Sequence, residues 1–79
     1  MSNAVNLLEV KELIYRLTLL KVDVDEELLD SGLIDSVGVI DLILEIENTF
    51  KIYVDPVLDR DSLRTISKLT EKINNALNN

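Results

Sequence analysis

The 79-residue sequence contains no histidine and no cysteine. The absence of histidine removes the commonest general base, and the absence of cysteine removes the thiolate nucleophile and any disulfide framework. Together they remove the usual ligands of transition metals, so no metal site is expected. A chain this short buries only about 60% of the surface it exposes when unfolded, so a single domain over residues 1–79 is expected, without room for a walled catalytic cleft. Any chemistry must come from an added group or from a partner. No apolar run approaches the roughly 18 to 20 residues of a membrane span, and the opening MSNAVNLLEVKE lacks the basic start of a signal peptide. A cytoplasmic protein that does not insert into membranes is the expectation.

Positive charge is missing from the middle of the chain. Between Val22 and Phe50 lie Asp23, Asp25, Glu26, Glu27, Asp30, Asp35, Asp41, Glu45 and Glu47, without one Lys or Arg, in a chain of formal net charge −7. A field of one sign repels phosphate backbones and attracts basic protein surfaces, so nucleic acid is not expected as a partner. The competing explanation is a solvated acidic face kept for solubility.

The apolar residues that are present recur at helical spacing. Leu7, Val10, Ile14 and Leu17, with Leu13 and Leu20 beside them, predict a first helix over about 4–20. The stretch KVDVDEELLDSGLID has no period and reads as a long connecting loop. A second helix is predicted from Ser36 to about Lys51. The only Pro, at 56, marks a turn followed by a short helical piece, with Val54, Val57 and Leu58 as candidate core plugs. A last helix capped by Thr65 buries Ile66, Leu69, Ile73 and Leu77, leaving Ser67, Lys68, Glu71, Lys72, Asn74 and Asn75 outside. The fold class is therefore all-α: a small four-helix bundle of three main helices and a short third one, with a long loop between helices one and two.

Helix two carries two apolar arcs. Val39, Leu42, Ile43, Ile46 and Phe50 form a core stripe, whereas Val37, Ile40 and Leu44 fall on a second arc interleaved with Asp41, Glu47 and Asn48. That second arc is either an exposed docking strip rimmed by acids or a surface covered by Leu28, Leu29, Leu33 or Ile34 of the loop.

Three Asp-Ser doublets, at 30–31, 35–36 and 61–62, offer three candidate serines. Ser31, before Gly32, reads as turn chemistry, and Ser62 as turn or cap chemistry ahead of the last helix. Ser36 differs. With Asp35 as N-cap, Ser36 becomes the first helical residue and its hydroxyl is spare. Gly38, which costs a helix roughly 0.8–1.0 kcal/mol against Ala, either keeps that hydroxyl accessible or lets the loop pack close.

The segment DSGLIDSVGVIDLILEIENTF resembles the attachment region of the acyl carrier protein family. The likeness runs over nearly the whole chain: a first helix, an acidic loop, Gly32-x-x-Asp35-Ser36, the amphipathic LILEIENTF, a short third helix and TISKL opening the last. It implies that Ser36 receives covalent 4′-phosphopantetheine from coenzyme A through a phosphopantetheinyl transferase, with Asp35 as the motif residue before it. It also implies docking through Val37, Ile40, Asp41, Leu44 and Glu47 to basic surfaces of acyl-transferring, adenylating or synthase enzymes, and a monomeric, non-catalytic carrier. The carried chain would slip into a core lined by Val39, Ile43, Ile46 and Val54. The main expectation is an acyl carrier for fatty acid, polyketide or related lipid biosynthesis. Gly38, with GLIDS before it and DRDS later, is closer to carriers of activated amino acids, so an aminoacyl, D-alanyl or peptidyl carrier is the alternative. A helical interaction module that has kept the fold without using Ser36 is a further one.

Overall fold

The structure is a computed structural model that describes residues 5–78, all helix, turn and loop, with no strand among them. Helix α1 spans Leu7–Thr18, α2 Ser36–Phe50 and α3 Ile66–Leu77, and a single 3₁₀ turn occupies Arg60–Leu63. Helix α1 packs on both α2 and α3, and the 3₁₀ turn packs on α3.

Each helix begins at a side-chain cap. Asn6 accepts the N–H of Glu9 at 2.9 Å, Asp35 that of Gly38 at 2.7 Å, and Thr65 that of Lys68 at 3.1 Å, each satisfying a first-turn donor that has no intrahelical partner. Helices α1 and α2 end on left-handed residues that are not glycine, Leu19 (φ 61°) and Lys51 (φ 58°). Each donates its N–H back to a carbonyl of the last turn, of Tyr15 and Glu47 respectively.

The core joins Val10, Leu13 and Ile14 of α1, Val39, Leu42, Ile43 and Ile46 of α2, and Ile66, Leu69 and Ile73 of α3, closed by Val22, Leu28 and Ile34 from the loop and by Val54 and Leu63. Phe50 and Leu77 pack against it from the edge.

Three sequence expectations are corrected. Helix α1 is shorter than 4–20; residue 4 lies outside the described residues, the left-handed turn at Leu19 ends the helix, and Leu7, Leu17 and Leu20 are exposed. Val54 is buried as expected, but Val57 and Leu58 are 78% and 84% exposed, and the core plug is Leu63. The cause is Asp55, whose Oδ1 accepts the N–H groups of Val57 and Leu58, both at 2.8 Å, and folds the chain into a turn with those side chains outward. The short third helix is present as the 3₁₀ turn Arg60–Leu63 that follows. Asn74, expected outside, is half-buried and forms a paired bond with the backbone of Val5, donating to its carbonyl at 2.9 Å and accepting its N–H.

Candidate functional site

Ser36 is the first residue of α2 and is exposed. Asp35 takes the cap position: its Oδ1 bonds Gly38 N–H and its carbonyl accepts Val39 N–H at 2.9 Å. The serine hydroxyl therefore has no structural task, and among the described residues it has no hydrogen-bond partner. The other two doublets differ. Ser31 Oγ donates to the Glu27 carbonyl and accepts Leu33 N–H at 3.3 Å, which makes it turn chemistry. Ser62 is half-buried inside the 3₁₀ turn, its N–H bonded to Asp59.

Gly38 is explained by packing. A Cβ built there would stand 3.1 Å from Ile34 Cγ2 and 3.2 Å from Asp35 Oδ1, so the missing side chain is what lets the loop and the cap close over the first turn of α2. Of the two roles open for it in the sequence, loop packing is the one with contacts behind it. Gly32 takes φ +82°, the left-handed turn that brings the loop round to Ile34.

The second apolar arc of α2 is in solvent. Val37 is 68% exposed and Ile40 and Leu44 are each 58% exposed, while Leu28 and Ile34 of the loop turn inward to the core. The strip runs down α2 from beside Ser36. Its two candidate acids are unlike each other. Asp41 is exposed and makes no side-chain bond among the described residues. Glu47 is half-buried, and its Oε2 accepts the N–H of Val54 at 3.0 Å, tying the end of α2 to the extended segment after it.

A cleft of about 180 Å³ lies between the end of α1 and the start of α2, lined by Leu17, Thr18, Gly32, Leu33, Ile34, Asp35, Gly38 and Asp41. Ser36 is not in its wall. Val39, Ile43, Ile46 and Val54 are buried in the closed core. Among the described residues no cluster of acids has metal-ligating geometry, and no helix is long and apolar enough to cross a membrane.

The family model of the phosphopantetheine attachment site matches residues 8–73, most of the chain and all of the helical core. The chain belongs to the phosphopantetheine-dependent carrier protein family. The cofactor of this family is 4′-phosphopantetheine, and the residues here fit it: a covalent arm needs a hydroxyl in open solvent that has no other duty. Among curated relatives, the D-alanyl carrier proteins of Streptococcus pyogenes serotype M5 (strain Manfredo), serotype M49 (strain NZ131) and serotype M1 are each 41% identical over 51 residues. That alignment covers 62% of this chain and 63% of each relative.

Two contributors escaped sequence reasoning. Arg64 makes the ion pairs of the acidic loop, to Glu27 and Asp30, and Glu47 bonds the Val54 backbone. Nine acids without a neighbouring base signal that a cation must come from elsewhere, but nothing in the spacing says from where.

Proposed function

We propose that this protein is a non-catalytic carrier of activated amino acids, holding its cargo on 4′-phosphopantetheine attached to Ser36. The observation that carries the attachment site is Ser36 itself: among the three doublets it pairs an exposed, unengaged hydroxyl with a separate helix cap. In the transfer, Ser36 Oγ would bond the pantetheine-bearing phosphorus of coenzyme A as the pyrophosphate P–O bond breaks; adenosine 3′,5′-bisphosphate leaves, and the hydroxyl proton is lost to the transferase or to solvent. The bound group supplies the thiol that this chain lacks, to which cargo is joined as a thioester.

The cargo reading departs from the main expectation of fatty acid, polyketide or lipid intermediates. The likeness to D-alanyl carrier proteins favours an aminoacyl group, and D-alanine is the first candidate. Partners would be a phosphopantetheinyl transferase and an enzyme that adenylates the amino acid, each meeting the Val37–Ile40–Leu44 strip with an apolar groove and Asp41 with a basic rim. Weak docking suits repeated handover, because tight binding would slow release.

Cargo is tested by incubating the phosphopantetheinylated protein with ATP and a D-alanine-adenylating enzyme in one reaction, and with ATP, a C8–C16 fatty acid and an acyl carrier protein synthetase in another. A mass gain with D-alanine alone supports the aminoacyl reading; a gain with the fatty acid alone returns the main expectation.

A further inference from the structure

The connection between the 3₁₀ turn and α3 holds the loop that delivers Ser36. Arg64 Nη1 lies 2.9 Å from Asp30 Oδ2 and 3.6 Å from Glu27 Oε2, and its Nε lies 3.4 Å from Asp61 Oδ1. Among the described residues the pairs to Asp30 and Glu27 are the only ion pairs made by any of the nine acids between Val22 and Phe50. The same residue is bonded through its backbone: its carbonyl accepts Leu28 N–H at 2.7 Å, and the Leu28 carbonyl in turn accepts Ile34 N–H at 2.9 Å. Ile34 then lies against Gly38, whose N–H the Asp35 cap accepts, in the first turn of the helix that begins at Ser36. Glu27 adds a second brace, its Oε1 accepting the N–H groups of Leu29 and Asp30 at 2.8 and 3.0 Å.

We infer that Arg64 is a positioning residue for phosphopantetheine transfer: its guanidinium and carbonyl together fix the 27–34 loop, and through Ile34 they fix the turn that presents Ser36. This inference rests on Ser36 being the acceptor. A lone exposed ion pair contributes little. Here a half-buried planar fork meets three carboxylates at once, beside a short backbone bond, and such an arrangement defines direction as well as attraction. Small misplacements of a reacting group lower rates far out of proportion to their effect on stability.

The test compares wild type, Arg64→Gln, Arg64→Lys and the charge-neutral pair Asp30→Asn with Arg64→Gln. Transfer from coenzyme A by a broad-specificity phosphopantetheinyl transferase with magnesium is measured well below the melting temperature, with amide exchange at Ile34 read in parallel. Removing a cation makes the protein more acidic, so simple attraction to a basic enzyme would lower KM. Positioning instead lowers kcat, by about fivefold or more, in both Arg64→Gln proteins, speeds exchange at Ile34, and recovers partly in Arg64→Lys. Unchanged kcat and Ile34 exchange in folded Arg64→Gln overturns the inference, as does a kcat loss that vanishes in the charge-neutral pair. If wild type accepts no group, the Ser36 reading fails, and the loop-fixing role is decided by the exchange at Ile34 alone.

Discussion

Glu47 Oε2 accepts the N–H of Val54 at 3.0 Å, across the left-handed turn that ends α2. Val54 is 1% exposed, so its N–H has little recourse to water if that bond is lost. Glu47→Lys is therefore expected to lower stability by about 1–3 kcal/mol, the usual consequence of leaving a buried donor unpaired. Asp41→Lys, at an exposed site with no side-chain bond, is expected to stay within about 0.5 kcal/mol of wild type. Urea unfolding of both proteins checks this. Only Asp41 is a clean probe of docking, because a transfer defect in the Glu47 variant would mix lost charge with lost structure.

At Gly38 two effects of similar size oppose each other. Alanine gains roughly 0.8–1.0 kcal/mol of helix propensity over glycine, but its Cβ would press on Ile34 and Asp35 at 3.1 and 3.2 Å. Gly38→Ala is expected to leave the melting temperature nearly unchanged. Gly38→Leu cannot be absorbed by small shifts and is expected to lose about 1–3 kcal/mol by overpacking. A clear rise in stability for Gly38→Ala would show that the contact with Ile34 yields freely.

Much of this fold is legible in the sequence. The core stripe of α2, the caps at Asp35 and Thr65 and the buried face of α3 follow from period and cap chemistry, because each is settled within one or two turns of helix. Three features were not legible: two depend on which of several competing local bonds wins, and the third on a contact between segments far apart in the chain. The Asp55 carboxylate claims two backbone donors and turns Val57 and Leu58 outward, where an apolar count expects a core plug. Leu19 and Lys51 take the left-handed position that glycine usually marks. Arg64 reaches acids more than thirty residues away, and no pattern in the sequence encodes that pairing.

The Asp55 turn gives a direct contrast in the segment before α3. Replacing Val57 and Leu58 together by serine is expected to change stability by no more than about 0.5 kcal/mol per site, as for other exposed positions. Leu63→Ala, six residues after Val57 and fully buried, is expected to lose about 2–5 kcal/mol. Denaturant midpoints with unchanged m-values would confirm both.

Acid should remove what the Asp55 turn contributes. The backbone N–H groups of Leu58 and Val57 hold its carboxyl below the ordinary 3.8, with the Tyr53 hydroxyl adding to the effect. A carboxyl whose folded value is depressed adds stability above its unfolded value and loses it as pH falls through the folded value. The advantage of wild type over Asp55→Ala in thermal melts is thus expected to be full at pH 7, and to shrink only as pH falls below about 4. An advantage that already fades between pH 7 and 5 would contradict the role given to the charged carboxylate.

The central claim is that Ser36 bears the phosphopantetheine arm, and intact mass tests it most directly. Wild type, Ser36→Ala and Ser62→Ala are incubated with coenzyme A, magnesium and a broad-specificity phosphopantetheinyl transferase, after their starting masses show that no group is already attached. A gain of one phosphopantetheine in wild type and Ser62→Ala, and none in folded Ser36→Ala, is the expected result. A gain that persists in Ser36→Ala, or none in folded wild type, would contradict it.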